Sequence, residues 1–139
     1  QVLHDKIFNA RLTSKAKRVK KALLNDKLAE VYRVKLLEHI SESEPYLDAG
    51  LTLKLLAEQI DIHPNKLSWL INEMQEQNFN QFINNYRIEH FKKIAVDPVN
   101  AQFSIIGLAY DSGFNSKSVF NTYFKKSTGL SPKAWIKAQ

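Results

Sequence analysis

The run GFNSKSVFNTYFKKSTGLSP, residues 113–132, decides how this chain is read. Phe120, Tyr123 and Phe124 recur at helical spacing behind Phe114, so they form one apolar face. Lys117, Lys125 and Lys126 share the remainder with Ser116, Ser118, Asn121 and Thr122, and no carboxylate interrupts them. Gly129 then closes the helix, and Ser131-Pro132 opens another. An ordinary solvent face carries Glu beside Lys as helix-stabilising pairs. An outer face of lysine and small hydrogen-bonding groups suits an anionic partner better.

Working outward, apolar residues recur at three and four almost everywhere, which predicts helices throughout. Leu28, Val31, Val34, Leu37 and Ile40 mark a first helix over about 25–43, broken by Pro45, Asp48 and Gly50. Thr52 is placed to cap a short helix carrying Leu53, Leu56, Ala57 and Ile60, and Pro64 begins a helix whose face is Leu67, Leu70, Ile71 and Met74. Asn78 with Gln81 reads as a capping box opening a long helix through Tyr86 and Phe91 to about Asp97-Pro98. Ser104 caps a further short helix that ends at Gly113.

A repeat lies inside this order. Leu56-Ala57 and Ile62 match Leu108-Ala109 and Phe114 at an offset of 52. After one inserted residue, Leu67, Leu70, Ile71, Phe82 and Ile83 match Phe120, Tyr123, Phe124, Trp135 and Ile136 at an offset of 53. Each copy is a short helix, a tight turn and a second helix, the helix-turn-helix plan, whose second helix offers its free face to a DNA major groove. The outward residues are Asn65, Lys66, Ser68, Trp69 and Asn72 in the first copy. In the second they are Ser116, Lys117, Ser118, Asn121, Thr122 and Lys125. These side chains can read base edges or reach phosphates. For Trp69 two readings stand: contact with a thymine methyl or sugar, or packing back onto the long helix.

Composition narrows the alternatives. The 139 residues suffice for one domain or a pair of small subdomains. With no cysteine there is neither a disulfide framework nor a thiolate metal site. His4, His39, His63 and His90 share no ligand spacing, and no glycine-rich phosphate loop or nucleophile motif occurs, so neither metal, cofactor nor catalysis is expected. No apolar run reaches the roughly 18 residues that span a bilayer. The formal charge of +6 resides in residues 1–40, with ten Lys/Arg against four Asp/Glu, while residues 41–139 balance at ten each. From Asn115 onward there are five lysines and no acid, whereas residues 52–77 hold four acids against two lysines. The basic run RLTSKAKRVKK, residues 11–21, reads as a helical linker, a phosphate-contacting arm or a segment beside a membrane.

The set Ala109, Gly113-Phe114, Phe120, Phe124-Lys125, Gly129 and Ser131-Pro132 resembles the signature of the AraC/XylS transcription regulators of bacteria. LTLKLLAEQIDIHPNKLSWLINEMQEQNFNQFINNYRIEHFKKI, residues 51–94, is similar to that family's first helix-turn-helix and linker helix, including Tyr86-Arg87-Ile88. The resemblance implies an all-α fold of about seven helices: two helix-turn-helix subdomains, about 52–75 and 104–128, joined by a linker helix over about 78–96. A DNA-binding domain would then fill 26–139, and 1–25 would be a basic, helical extension from a region lying before Gln1. It implies double-stranded DNA and RNA polymerase as partners, in the cytoplasm, with an effector, sensor or dimerising region upstream; the basic run 11–21 adds the expectation of a membrane tether there. For Arg87 an intramolecular partner is expected over DNA. Two departures stand out: Phe91 replaces a usual alanine, and Gly107 sits within a helix at a cost of about 1 kcal/mol. The rival readings are a helical protein-protein interaction module without sequence-specific DNA binding, and a small helical enzyme.

Overall fold

The computed structural model describes residues 2–75 and 77–139, with side chains described at 13–21, 23–74 and 77–139. Two compact units result, one ending at Leu37 and one spanning Glu38–Gln139. Among the described residues there are seven α-helices and no strand: α1 Val2–Ser43, α2 Leu53–Gln59, α3 Pro64–Gln75, α4 Phe79–Ala95, α5 Ile105–Asp111, α6 Lys117–Thr128 and α7 Pro132–Lys137. Single 3₁₀ turns at Pro45–Leu47 and Pro98–Asn100 link the longer pieces.

α1 differs from the sequence expectation in two ways. It reaches back to Val2 rather than starting near Asn25. The reason is compositional: no Gly or Pro interrupts residues 2–43, and Lys, Leu, Ala and Arg propagate a helix well. Its apolar spacing also misidentifies the inner face, because Leu28, Val31, Val34 and Leu37 are exposed while Leu36 and Ile40 are buried.

In the second unit the helix starts are chemically fixed. Thr52, Asn78, Ser104, Ser116 and Ser131 each accept a hydrogen bond from the backbone N–H three residues on. Asn78 and Gln81 complete a reciprocal capping box. Such caps satisfy otherwise orphaned donors and contribute about 1 kcal/mol apiece. Gly107 belongs to this chemistry. A Cβ there would stand 2.9 Å from the Ser104 Oγ that caps α5, so a side chain would press on the cap.

α4 is the beam of the second unit, packed on α3 and the Pro45–Leu47 turn, and also on α5 and α6. Its Phe82 and Ile83 are buried, as are Leu56, Ala57, Ile60, Leu67, Leu70 and Ile71 of the first helix-turn-helix. Its Ile88 and Phe91 join Leu108, Ala109, Phe114, Phe120 and Phe124 in the second core. Phe91 is fully buried, with ring centroids 4.8 Å from Phe120 and 5.5 Å from Phe124, and Phe124 stands edge-on to Trp135 at 5.9 Å. A phenyl ring instead of a small residue at position 91 therefore fills the middle of an edge-to-face aromatic cluster, an arrangement favoured by ring quadrupoles.

Arg87 of α4 ties that helix to the turn after α1. Its Nε donates to the Tyr46 carbonyl at 2.6 Å, Nη2 to the Asp48 carbonyl at 2.9 Å and Nη1 to Asn84 Oδ1 at 2.9 Å. Burial pushes the guanidinium pKa down, opposed by the Asp48 charge. Tyr46 itself stacks on Tyr86 at 5.5 Å and donates its hydroxyl to Glu44 at 3.1 Å. Burial and then that carboxylate push the Tyr46 hydroxyl up to about 12. Gly113 closes the assembly: with φ at 100°, its absent Cβ would overlap the Tyr46 carbonyl oxygen and lie 2.8 Å from Arg87 Nε.

Two expectations follow for the fold. Gly113→Ala should lose about 3–5 kcal/mol in urea unfolding, combining backbone strain with overlap. Gly129→Ala, whose Cβ meets nothing within 4 Å, should lose only about 1–2 kcal/mol from its left-handed φ. Equal losses would contradict the close approach. Secondly, an unfolded tyrosine releases its proton near its ordinary value while folded Tyr46 holds it to about 12. Between these values the unfolded state binds fewer protons, so stability falls as pH rises. Unfolding curves taken across that alkaline range should show a shallower decline in Tyr46→Phe than in the wild type.

Candidate nucleic-acid interface

The internal repeat survives as geometry. In the first turn Ile62 N donates to the Ala57 carbonyl at 3.0 Å, and in the second Phe114 N donates to the Ala109 carbonyl at 3.1 Å. Each turn also needs one left-handed residue at the matching position, Asp61 with φ 55° and Gly113 with φ 100°. Aspartate tolerates that conformation, but only glycine also permits the Tyr46 approach. His63 and Ser116 correspond as the residues that open the second helices: His63 Nδ1 accepts from Asn65 N at 3.1 Å, and Ser116 Oγ accepts from Val119 N at 3.2 Å. His63 thereby acquires a capping role unrelated to metal.

These turns aim α3 and α6. On α3, Leu67, Leu70 and Ile71 are buried, so Asn65, Ser68, Trp69 and Asn72, spaced i, i+3, i+4 and i+7, share the opposite, exposed face. Lys66 is exposed at its edge. On α6, Phe120 and Phe124 are buried and Tyr123 is half-buried, while Ser118, Asn121, Thr122 and Lys125 share the exposed face at the same spacing. Lys117 is exposed beside them, and Ser116 is half-buried with its oxygen committed to the cap. Trp69 stands 54% exposed. Arg87, in contrast, is held by backbone carbonyls within the molecule. Ser131 and Asn78 likewise spend their side-chain oxygens on their own helices.

The electrostatics of the two faces differ. α6 ends in Lys125 and Lys126, whereas the last turn of α3 has no basic residue. Beside α6 a groove of about 380 Å³ is lined by Lys117, Asn121, Ser104, Ser131 and Lys133, floored by Ile105, Ile106 and Phe120. Lys133 is one of the five lysines of the acid-free stretch after Asn115, although its place beside α6 is not set by the α6 periodicity. Its position directly after the Ser131-Pro132 helix start, in a stretch without acids, is the signal that places it there. Among the described residues no cluster of His, Cys, Asp or Glu could hold a metal ion, and no helix is long and apolar enough to cross a membrane.

Two packed helix-turn-helix units on a shared linker helix, each with an exposed second helix, define a class of paired helix-turn-helix proteins. Residues 56–138 match a family described as a helix-turn-helix domain, and the chain belongs to this AraC-type family. It is 28% identical over 109 residues to the melibiose operon regulatory protein of Escherichia coli (strain K12), covering 78% of this chain and 34% of that protein. The chain thus spans about a third of the length of the curated relatives it matches. Among solved structures, a Listeria innocua protein of unknown function superposes with a TM-score of 0.63 at 25% identity, covering 78% of this chain and 96% of that one. The C-terminal domain of the response regulator YesN from Fusobacterium nucleatum gives 0.62 at 24% identity, over 76% and 97%. The DNA-binding domain of AdpA, solved in complex with a target DNA, shares the fold with a TM-score of 0.62 at 17% identity, over 74% and 90%.

Proposed function

We propose that this chain is the sequence-specific DNA-binding part of a transcription regulator, with α3 and α6 entering successive major grooves of one duplex. The observation that carries this reading is the duplicated exposed face: residues 65, 68, 69 and 72 on α3, bordered by Lys66 and Glu73, and residues 118, 121, 122 and 125 on α6 sit opposite buried cores, and the α6 face holds no carboxylate. Lys117, Lys125 and the neighbouring Lys126 and Lys133 supply phosphate neutralisation, which is the main source of affinity. Asn121, Ser118 and Thr122 supply base-edge contacts, each good pair discriminating by about 1–3 kcal/mol. In keeping with the naming of the melibiose operon relative, the bound site is a promoter, where the protein recruits or blocks RNA polymerase. An effector, dimerising or membrane-tethered region elsewhere in the protein controls this binding.

Selection of bound sequences from a random DNA pool should yield a defined site. On that site Asn121→Ala should lose about 1–3 kcal/mol by fluorescence anisotropy and relax preference at one position. Lys117→Ala should weaken all sequences alike and reduce the slope of log affinity against log salt by about one. Both variants should unfold at the wild-type temperature. Unchanged affinity in both would remove α6 from the interface, and a pool with no enriched sequence would favour the protein-protein module.

A further inference from the structure

We infer that Trp69 is a specificity-determining residue that reads the C5-methyl group of a thymine, so that the groove entered by α3 is A·T-specific. This rests on the proposal that the chain binds DNA through α3 and α6. Trp69 is a large apolar side chain 54% exposed on a helix whose Leu67, Leu70 and Ile71 are buried and whose Met74 is half-buried. Its companions on that face, Asn65, Ser68 and Asn72, are short and polar, unlike the apolar surround of a protein docking site. In the major groove the thymine methyl is the one apolar group a base edge presents, and the amide of asparagine pairs best with adenine. An indole between two asparagines is therefore matched to an A·T step in chemistry as well as in shape.

The repeat sharpens the assignment. At the offset of 53 that relates α3 to α6, Trp69 corresponds to Thr122, Asn72 to Lys125, Asn65 to Ser118 and Ser68 to Asn121. Thr122 carries a methyl suited to the same contact on a smaller scale. The exchange of Lys125 for Asn72 removes a phosphate-seeking charge from the α3 face, and the exchange of Thr122 for Trp69 adds apolar area. The first subdomain thereby offsets a weaker electrostatic attraction with a contact that gains from water exclusion.

The test replaces each thymine of the selected site, one at a time, by uracil, which deletes only the methyl. With the wild-type chain, one or two positions in the α3 half-site should lose about threefold to tenfold in affinity. In Trp69→Gln the loss should vanish at those positions, and in Trp69→Phe a reduced loss should persist. Because Trp69 is exposed, these variants should keep the wild-type unfolding temperature. The inference is overturned if no thymine in that half-site responds to uracil, if the response is undiminished in Trp69→Gln, or if Trp69→Gln binds the selected DNA as tightly as the wild type. The last result would assign the indole to a protein surface. Selective binding that ignores uracil sinks this inference alone, whereas absence of selective binding sinks the DNA-binding proposal with it.

Discussion

The hydrogen-bonded fork of Arg87 is the interaction on which the rest of the second unit depends. A guanidinium spends its rigid donors on two carbonyls of the turn after α1 and on Asn84 of its own helix. Because carbonyl oxygens rather than a facing carboxylate satisfy it, the contact fixes backbone position and not only charge balance. The turn it holds is the one against which Gly113 packs. Gly113 lies in the turn before α6, so the turn after α1, α4 and the turn between α5 and α6 meet at one small junction. Lysine at position 87 has no fork and cannot span both carbonyls.

Much of this was legible in the sequence because it is local. Capping at Thr52, Asn78, Ser104 and Ser131, the left-handed Gly129 and the apolar stripes of α3 and α6 rest on contacts within a few residues. The exposed faces of α3 and α6 follow from those stripes by elimination. What sequence alone missed is non-local. The Arg87 fork joins residues about forty positions apart, and Gly113 is obliged to be glycine by a carbonyl from another element, not by its own turn alone. Periodicity could not rank the apolar residues of α1, because it reports spacing and not which stripe finds a partner; Ile40 is buried while Val31 is not. Phe91 looked like a departure from a family pattern until the rings around it were in place.

The two copies have the same backbone plan and different chemistry. Their turns share a hydrogen bond and a left-handed residue, and α3 and α6 bury the matching pairs Leu67/Phe120 and Ile71/Phe124. Yet one presents asparagines around an indole, and the other presents hydroxyls, an amide and lysine next to a lysine-flanked groove. Packing constrains the inner faces of a duplicated motif, while the outer faces are free to diverge toward different base pairs and different shares of phosphate attraction. On the proposed function, two unlike faces in one chain are matched to an asymmetric DNA site.

On the proposed function, the single unit Glu38–Gln139 places α3 and α6 in successive grooves. Hydroxyl-radical cleavage of the selected DNA with the bound chain tests this most directly. Two protected windows on one face of the duplex, their centres about ten base pairs apart, are predicted. A single window, or two on opposite faces, would contradict it.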